Sequence, residues 1–290
     1  MICAELEKFA DRRTISRSAL ARERAKAAHA ALADCHLCAH HCGVNRLAGE
    51  TGLCHAGASA NFFLAQTEVT DELELIPTFA LALSGCDLRC DFCITGAESW
   101  NPRAGKIFSA EEMATKAKAA LADGAKTVMI LGGEPTIHLP AALELVAALP
   151  DDAKLVWKTN AHGSAQAREF LDGIFDVWLA DFKFGNDDCA RRLAKVPDYI
   201  GVVRENLLWA SSHSKLIVRH LLMPGHLDCC WQPVAEWLAE NLPGVKVNLR
   251  SGFWPAWKSA RHAELRGTAA DDETRRAWQM AGDLGLNLIP

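Results

Sequence analysis

Three cysteines, Cys86, Cys90 and Cys93, fall within eight residues at the spacing C-x3-C-x2-C. A tight loop of that length turns three sulfurs toward one point, which suits one corner of a metal cluster. Mononuclear zinc usually takes four protein ligands. A cubane iron–sulfur cluster normally takes four cysteines. Three thiols with no fourth in the loop therefore point to a cluster with one open iron. A structural zinc, or reduced thiols without chemistry, is the plainer alternative. The apolar run at 79–83 just before them reads as a buried strand.

A second set, Cys35, Cys38, Cys42 and Cys54, has the spacing C-x2-C-x3-C-x11-C. Gly43, Gly49 and Gly52 make this stretch a loop-rich knuckle, and His36, His40, His41 and His55 are interleaved as solvated or capping groups. Four thiolates are a complete set for structural zinc or for an iron–sulfur cluster. A second [4Fe–4S] cluster is favoured slightly, because the neighbouring site already requires cluster assembly. Vicinal Cys229 and Cys230, with His226, form a third group expected to face the same mouth as the cluster loop. They are read as hydrogen-atom donors, substrate-holding thiols, ligands of a further metal, or simply half-buried thiols at a helix start. Cys3 and Cys189 read as incidental thiols.

Other elements must position these groups. The chain has 290 residues, half of them hydrophobic, a net charge of −5 and eleven cysteines. Clustered cysteines in a chain of this length indicate metal or redox chemistry rather than disulfides. No basic tract marks a nucleic-acid footprint. Neither a signal peptide nor a run of about eighteen apolar residues is present. A cytoplasmic protein without nucleic-acid or membrane partners is expected.

Residues 4–32, with Leu6, Phe9, Ala10 and Leu20, read as one or two amphipathic helices. Residues 62–78, carrying Glu68, Asp71, Glu72 and Glu74, read as a link. Apolar strands at 79–83, 126–131, 154–159, 175–183, 215–222 and 245–249 then alternate with helices at 109–123, 139–149, 165–171, 189–195 and 232–241. Ser109 and Glu112 form a capping box. A last helix is expected at 271–285, capped by Asp271 or Asp272, with 286–289 a short strand or tail. Such alternation means a parallel sheet covered by helices. The expected fold is α/β, a partial (β/α)6 barrel (76–290) with its C-terminal helix, preceded by a helical extension (1–34) and the Cys-rich knuckle (35–75).

Sites in parallel barrels sit where strands meet the following loops. The second strand ends in Gly132, Gly133 and Glu134. Two glycines allow a ligand to approach the backbone, and Glu134 offers a carboxylate to an ammonium; a tight turn with a solvated glutamate is the alternative. Lys158 ends the third strand, Asp181 and Lys183 the fourth, and Arg219 lies in the fifth. Ion pairs of Asp181 with Lys158 or Arg219 are the structural alternative for these charges. Trp231, Trp237, Phe253, Trp254 and Trp257 read as packing, with substrate stacking open for Trp254 or Trp257.

The Cys86–Cys90–Cys93 loop, followed one strand later by Gly132-Gly133-Glu134, resembles the radical S-adenosylmethionine (SAM) superfamily. The resemblance implies a [4Fe–4S] cluster on the three cysteines, with SAM chelating the fourth iron through its amino and carboxylate groups. It implies Phe92 near the adenine and the Gly132–Glu134 segment at the SAM amino group. Arg219 is a candidate partner for the SAM carboxylate. Glycyl-radical activating enzymes carry Asp-Thr-Asn after the third strand, and that aspartate helps form a monovalent-cation site beside SAM. Lys158 stands in its place here, so its ammonium is expected to replace the cation, with Asp181 beside it. The knuckle sequence and the stretches around Gly132–Pro140, Leu171–Gly185 and Val218–Cys230 further resemble PflX-like proteins, homologues of pyruvate formate-lyase activating enzymes. The likeness departs after Cys93, where Ile-Thr-Gly replaces the common Gln-Asn.

The resemblance further implies an enzyme that reductively cleaves SAM and abstracts a hydrogen atom from its substrate. A protein or peptide substrate, including glycyl-radical activation, is the first expectation, with flavodoxin or ferredoxin as reductant. Between Cys93 and Gly132 there is no cysteine-rich ferredoxin insert, unlike the larger activases. Modification of a small molecule is the second reading. A non-catalytic iron–sulfur or zinc interaction protein is the third.

Overall fold

The computed structural model describes residues 15–70 and 72–290. The expected helix about Leu6, Phe9 and Ala10, together with Cys3 and Asp71, lies outside the described residues. Helix α1 (Arg17–Ala30) is capped by Ser16, whose side chain accepts from Ala19 N. The knuckle follows, then strand β1 (Asn61–Glu68) and strand β2 (Thr78–Leu83). The cluster loop leads into α2 (Gly96–Trp100), β3 (Lys106–Ile107) and α3 (Ala110–Ala122). From there strand and helix alternate: β4 (Thr127–Gly132), α4 (Leu139–Ala147), β5 (Leu155–Thr159), α5 (Ala165–Leu171), β6 (Val177–Asp181). Two helices, α6 (Asp187–Ala194) and α7 (Tyr199–His213), precede β7 (Lys215–Leu221), α8 (Gln232–Asn241) and β8 (Lys246–Arg250). Helix α9 (Asp271–Asp283) and β9 (Asn287–Leu288) end the described chain.

Among the described residues these strands form one nine-stranded sheet, ordered β3-β1-β2-β4-β5-β6-β7-β8-β9. Pairing is parallel from β2 to β9 and antiparallel at β1. Continuous apolar runs allow this, because a parallel strand is covered on both faces; β2 is buried at every position. The result is a partial (β/α)6 barrel with an N-terminal helical extension and a Cys-rich knuckle, as the sequence predicts. Small residues Ala21, Ala25 and Ala28 form the buried stripe of α1 and let it lie along α4.

Side-chain alternation positions the site. Met129, Val156, Val177, Leu179 and Ile217 cluster with Leu75 as an apolar floor inside the barrel. Two residues further along the same strand faces come Leu131, Lys158, Asp181 and Arg219. The register sets Asp181 beside Arg219, and Arg219 beside Asn248. Apolar floor therefore gives way to charge at the C-terminal strand ends.

Three expectations need correction. The stretch read as a link contains β1, which covers the β2 edge; Glu74 beyond it pairs with Lys215 and, at 2.8 Å, with Lys246. Helix α7 is an element the sequence reading omits, although its buried Tyr199, Val203, Leu207 and Ala210 recur at helical spacing. At α9 the cap is Ala270, without a side-chain hydrogen bond; Asp271, Asp272 and Glu273 lie in the first turn, where acids complement the helix dipole. No helix among the described residues is long and apolar enough to cross a membrane.

Candidate active site

Cys86, Cys90 and Cys93 line a cavity of about 640 Å³ at the C-terminal strand ends. Cys86 and Cys90 are buried and Cys93 is half-buried. Leu88 N donates to Cys86 Sγ at 3.3 Å, Asn160 Nδ2 reaches the same sulfur at 3.7 Å, and Cys93 Sγ lies 3.3 Å from Thr95 Oγ1. Burial, then the Asp87 charge, pushes the Cys86 thiol well up. Burial carries Cys90 up to about 12 against the opposing charge of Lys183. Ligation to a metal must expel these protons. The donor set fits a four-iron cluster held by three cysteines, since the thiols open onto a cavity that also presents Lys158, Lys183 and Arg219. Phe92 lines that cavity too, packed edge-on to Phe184 and tilted against Phe253.

The Gly132-Gly133-Glu134 segment lines the cavity and also packs against the chain leading into the cluster loop. A Cβ at Gly132 would lie 2.1 Å from Leu83 O, and one at Gly133 would lie 2.0 Å from Gly85 O. The close approach is therefore to the chain leading into the cluster loop, as well as to the cavity. Glu134 is not solvated. Its Oε1 accepts from Thr136 N (3.1 Å), Thr136 Oγ1 (2.6 Å) and Thr159 Oγ1 (2.9 Å), and its Oε2 accepts from Asn160 N at 2.7 Å. The carboxylate thus splices the ends of β4 and β5. Burial, then the nearby Asp87, raises its pKa to about 7.

Lys158, Asp181, Lys183 and Arg219 all line the cavity. Lys183 Nζ lies 2.5 Å from Asp181 Oδ2. Arg219 Nε is 3.3 Å from Glu72 Oε1 and 3.8 Å from Asp181 Oδ1. Burial opposes the Asp181 charge, but Lys183, Arg219 and Lys158 together hold its carboxyl below the usual range. Arg219 is thus a member of a barrel-mouth ion network, nearer to Glu72 than to Asp181.

The knuckle docks on this site. Short bridges join Cys35 to Val44 and Cys38 to Gly163. Buried Arg46 donates to Ile137 O at 2.8 Å and to Gly57 O at 3.0 Å, and reaches Cys35 Sγ at 3.7 Å. Burial, then Asp87, raises the Cys38 thiol; Cys54 and Cys42 add to that shift, and Cys35 adds to the rise at Cys54. Four thiols thus share one neighbourhood. His40, expected to be a solvated or capping group, has its Nε2 3.0 Å from Asp87 O in the cluster loop.

Cys229 and Cys230 are elsewhere. Neither is among the residues lining the cavity. They sit in a π-helical turn, Leu227–Trp231, facing His226 and Cys189, so Cys189 is not incidental. The sequence reading also missed Asp87, Asn160 and His162. Asp87 is buried within the cluster loop and accepts from Asn160 Nδ2 at 2.7 Å.

Comparison with known proteins agrees with this geometry. Residues 82–238 match the family described as the radical SAM superfamily. The chain is 31% identical over 268 residues to the uncharacterized protein MJ0674 of Methanocaldococcus jannaschii, covering 88% of this chain and 76% of that protein. A 100-residue match, 31% identical, is to 7-carboxy-7-deazaguanine synthase of Methanothermobacter thermautotrophicus, over 34% of this chain and 39% of that one. SuiB of Streptococcus suis bound to S-adenosylmethionine superposes with a TM-score of 0.54 at 18% identity, over 70% of this chain and 47% of SuiB. SuiB bound to precursor peptide SuiA gives 0.53 at 18% identity, with 70% and 46% covered. The chain spans less than half of SuiB's length, and the likeness is one of fold. By the family match over more than half of its length, the chain belongs to the radical SAM superfamily and is an enzyme of that class.

Proposed function

We propose that this enzyme modifies a protein or peptide by hydrogen-atom abstraction, as a PflX-like relative of the pyruvate formate-lyase activating enzymes. The observation that carries the proposal is the cavity itself. Three thiols line it together with Ile94, Trp254 and Trp278, which remain 78%, 70% and 40% exposed. Exposed apolar groups around a cavity that also carries thiols and charged side chains suit a chain that enters while most of its bulk stays outside.

In this reading Cys86, Cys90 and Cys93 hold a [4Fe–4S] cluster. That cluster with bound SAM supplies reductive cleavage of SAM and the radical that takes a hydrogen atom. Gly132, Gly133 and Glu134 hold the strand end against the cluster loop and bound the space for the SAM amino group. Lys158, Lys183 and Arg219 present positive charge to its carboxylate, with Asp181 orienting Lys183 and Arg219. Phe92 packs at the adenine side. Cys35, Cys38, Cys42 and Cys54 hold a second cluster or zinc. Residues 1–34, 35–75 and 76–290 serve as extension, knuckle and barrel, with β1 joining the knuckle segment to the barrel sheet. Flavodoxin or ferredoxin in the cytoplasm supplies the electron.

Anaerobic reconstitution with iron, sulfide and zinc counts, followed by dithionite and SAM, tests the chemistry. Wild type yields 5′-deoxyadenosine and the triple Cys86→Ala, Cys90→Ala, Cys93→Ala variant does not. About eight irons per chain mark two four-iron clusters; four irons and a zinc make the knuckle structural. A proteome from cells grown in heavy water tests the substrate: deuterium enters 5′-deoxyadenosine from the macromolecular fraction. Deuterium transfer from the small-molecule fraction alone overturns the peptide reading.

A further inference from the structure

Four residues outside the cavity form a closed polyhedron. Cys189 lies at the start of α6; His226, Cys229 and Cys230 lie after β7. One ligand atom from each falls within 4.8 Å of all the others. Cys189 Sγ is 3.8 Å from Cys229 Sγ, and Cys229 Sγ is 3.9 Å from Cys230 Sγ. His226 Nδ1 is 3.7 Å from Cys189 Sγ, 3.3 Å from Cys229 Sγ and 3.4 Å from Cys230 Sγ. A tetrahedral zinc with its usual bond lengths has sulfur–sulfur edges of about 3.8 Å and sulfur–nitrogen edges of about 3.6 Å. The five edges given above scatter closely about those two values.

We propose that Cys189, His226, Cys229 and Cys230 are the four ligands of a structural zinc ion, separate from the cluster loop and from the knuckle.

Local structure is built for it. His226, Cys229 and Cys230 stand at i, i+3 and i+4, so one helical face presents all three. The turn that carries them is π-helical, a form that recurs at functional sites. Asn186 caps α6, accepting from Cys189 N at 2.8 Å, and donates to Cys229 O at 2.6 Å. A Cβ at Gly185 would lie 2.5 Å from Cys230 O, so the bare backbone there admits the turn. The ligand set is shielded: Cys189, His226 and Cys230 are buried and Cys229 is half-buried. Four protein ligands with no open position describe a structural site rather than a catalytic one. Three thiolates and an imidazole are the soft donor set that selects zinc among common divalent ions.

Outer contacts complete it. With Nδ1 on the metal, the imidazole proton sits on Nε2, and Glu264 Oε1 is 3.8 Å from that nitrogen. Such carboxylate–histidine contacts orient metal-bound imidazoles. Arg192, paired with Glu264, places positive charge beside the Cys189 thiolate.

The ion would serve the active site at a distance. Leu193 O and Ala194 O, at the far end of α6, accept from Asp91 N (2.8 Å) and Arg89 N (2.9 Å) of the cluster loop. Pinning the start of α6 to the β7 loop thus fixes the helix on which that loop rests.

Zinc per chain is measured on the full-length protein isolated anaerobically. Wild type carries one more zinc than the Cys189→Ser, Cys229→Ser variant, whatever the knuckle holds. A second readout needs no variant. In wild type, chelation by 4-(2-pyridylazo)resorcinol releases that zinc, and Cys189 and Cys229 become alkylated in step with the release. Cobalt(II) added alone to the chelated protein gives tetrahedral thiolate bands, and His226→Cys keeps the metal and shifts those bands. Equal zinc in wild type and the double variant overturns the proposal. So does alkylation of Cys189 and Cys229 without zinc release, or a Cys189–Cys229 disulfide in the isolated protein. None of these outcomes depends on SAM cleavage.

Discussion

Asp87 Oδ2 and His162 Nδ1 lie 2.8 Å apart, with both side chains sealed from solvent. Asp87 stands between cluster-loop residues Cys86 and Leu88. His162 sits in the loop after β5, edge-on to His40 of the knuckle with ring centroids 5.1 Å apart. One buried pair thus ties the cluster loop to the knuckle. Burial opposes the Asp87 charge, but hydrogen bonds from His162 and Asn160 hold its carboxyl below the usual range.

Asp87→Ala removes one member of the pair and is expected to cost about 3–5 kcal/mol. Asp87→Asn keeps an acceptor and is expected to cost about 1–3 kcal/mol. The folded pKa lies below the unfolded value of about 3.9, so this contribution is present at neutral pH. It is lost as pH falls through the folded value. Urea unfolding between neutral and acidic pH checks this: the acid limb flattens in Asp87→Asn, and an unchanged limb refutes the assignment.

Glu134 has the opposite sign. Its folded pKa of about 7 stands above the unfolded value of about 4.3. Its contribution is fully present below the unfolded value and is lost as pH rises through 7. Wild-type stability should therefore fall from pH 5 to pH 7.5 more steeply than that of Glu134→Gln. The variant also starts lower, by about 1–3 kcal/mol, because one amide hydrogen now faces Asn160 N–H. Parallel pH dependences would count against the buried, protonated carboxyl.

Gly133→Ala places a Cβ 2.0 Å from one backbone oxygen, that of Gly85, and 3.1 Å from Ser99 Cα. Neither neighbour is the far end of a flexible side chain. Overpacking of this kind costs about 1–3 kcal/mol or more. Because Gly85 precedes Cys86, iron loading is expected to fall along with the melting temperature. A variant that melts like wild type and takes up full iron would show that the loop yields.

Lys158 lines the cavity, and its charge helps hold the Asp181 carboxyl down. If its ammonium replaces a bound monovalent cation, SAM cleavage is indifferent to exchange of sodium for potassium. Lys158→Met is then expected to lose activity on the order of 10²-fold, as for removal of a group aimed at developing charge, and to become sensitive to the ion. Strong dependence in wild type sinks the idea.

Much of this protein is legible in its sequence because the relevant forces are local. The C-x3-C-x2-C spacing closes one loop, the apolar runs specify strands buried on both faces, and Ser109 caps its helix by accepting from Glu112 N at 3.4 Å, while the Glu112 carboxylate turns to Lys116. The knuckle is likewise written into short spacings and turn glycines. Even His226, Cys229 and Cys230 are readable as one helical face.

What distant segments do to one another is not readable that way. Cys189 lies 40 residues from Cys229, and only the closure of the barrel brings the loop after β6 against the turn after β7. Asp87 and His162 are 75 residues apart, and Arg219 and Asp181 meet through strand register. Glu134 is drawn inward by Thr159 and Asn160 at the end of β5, whose part as its donors spacing alone does not reveal. Sequence determines the chemistry available, because residue types and short spacings are local properties. Tertiary structure decides which groups desolvate together, because burial and pairing depend on segments that the chain brings together only by folding.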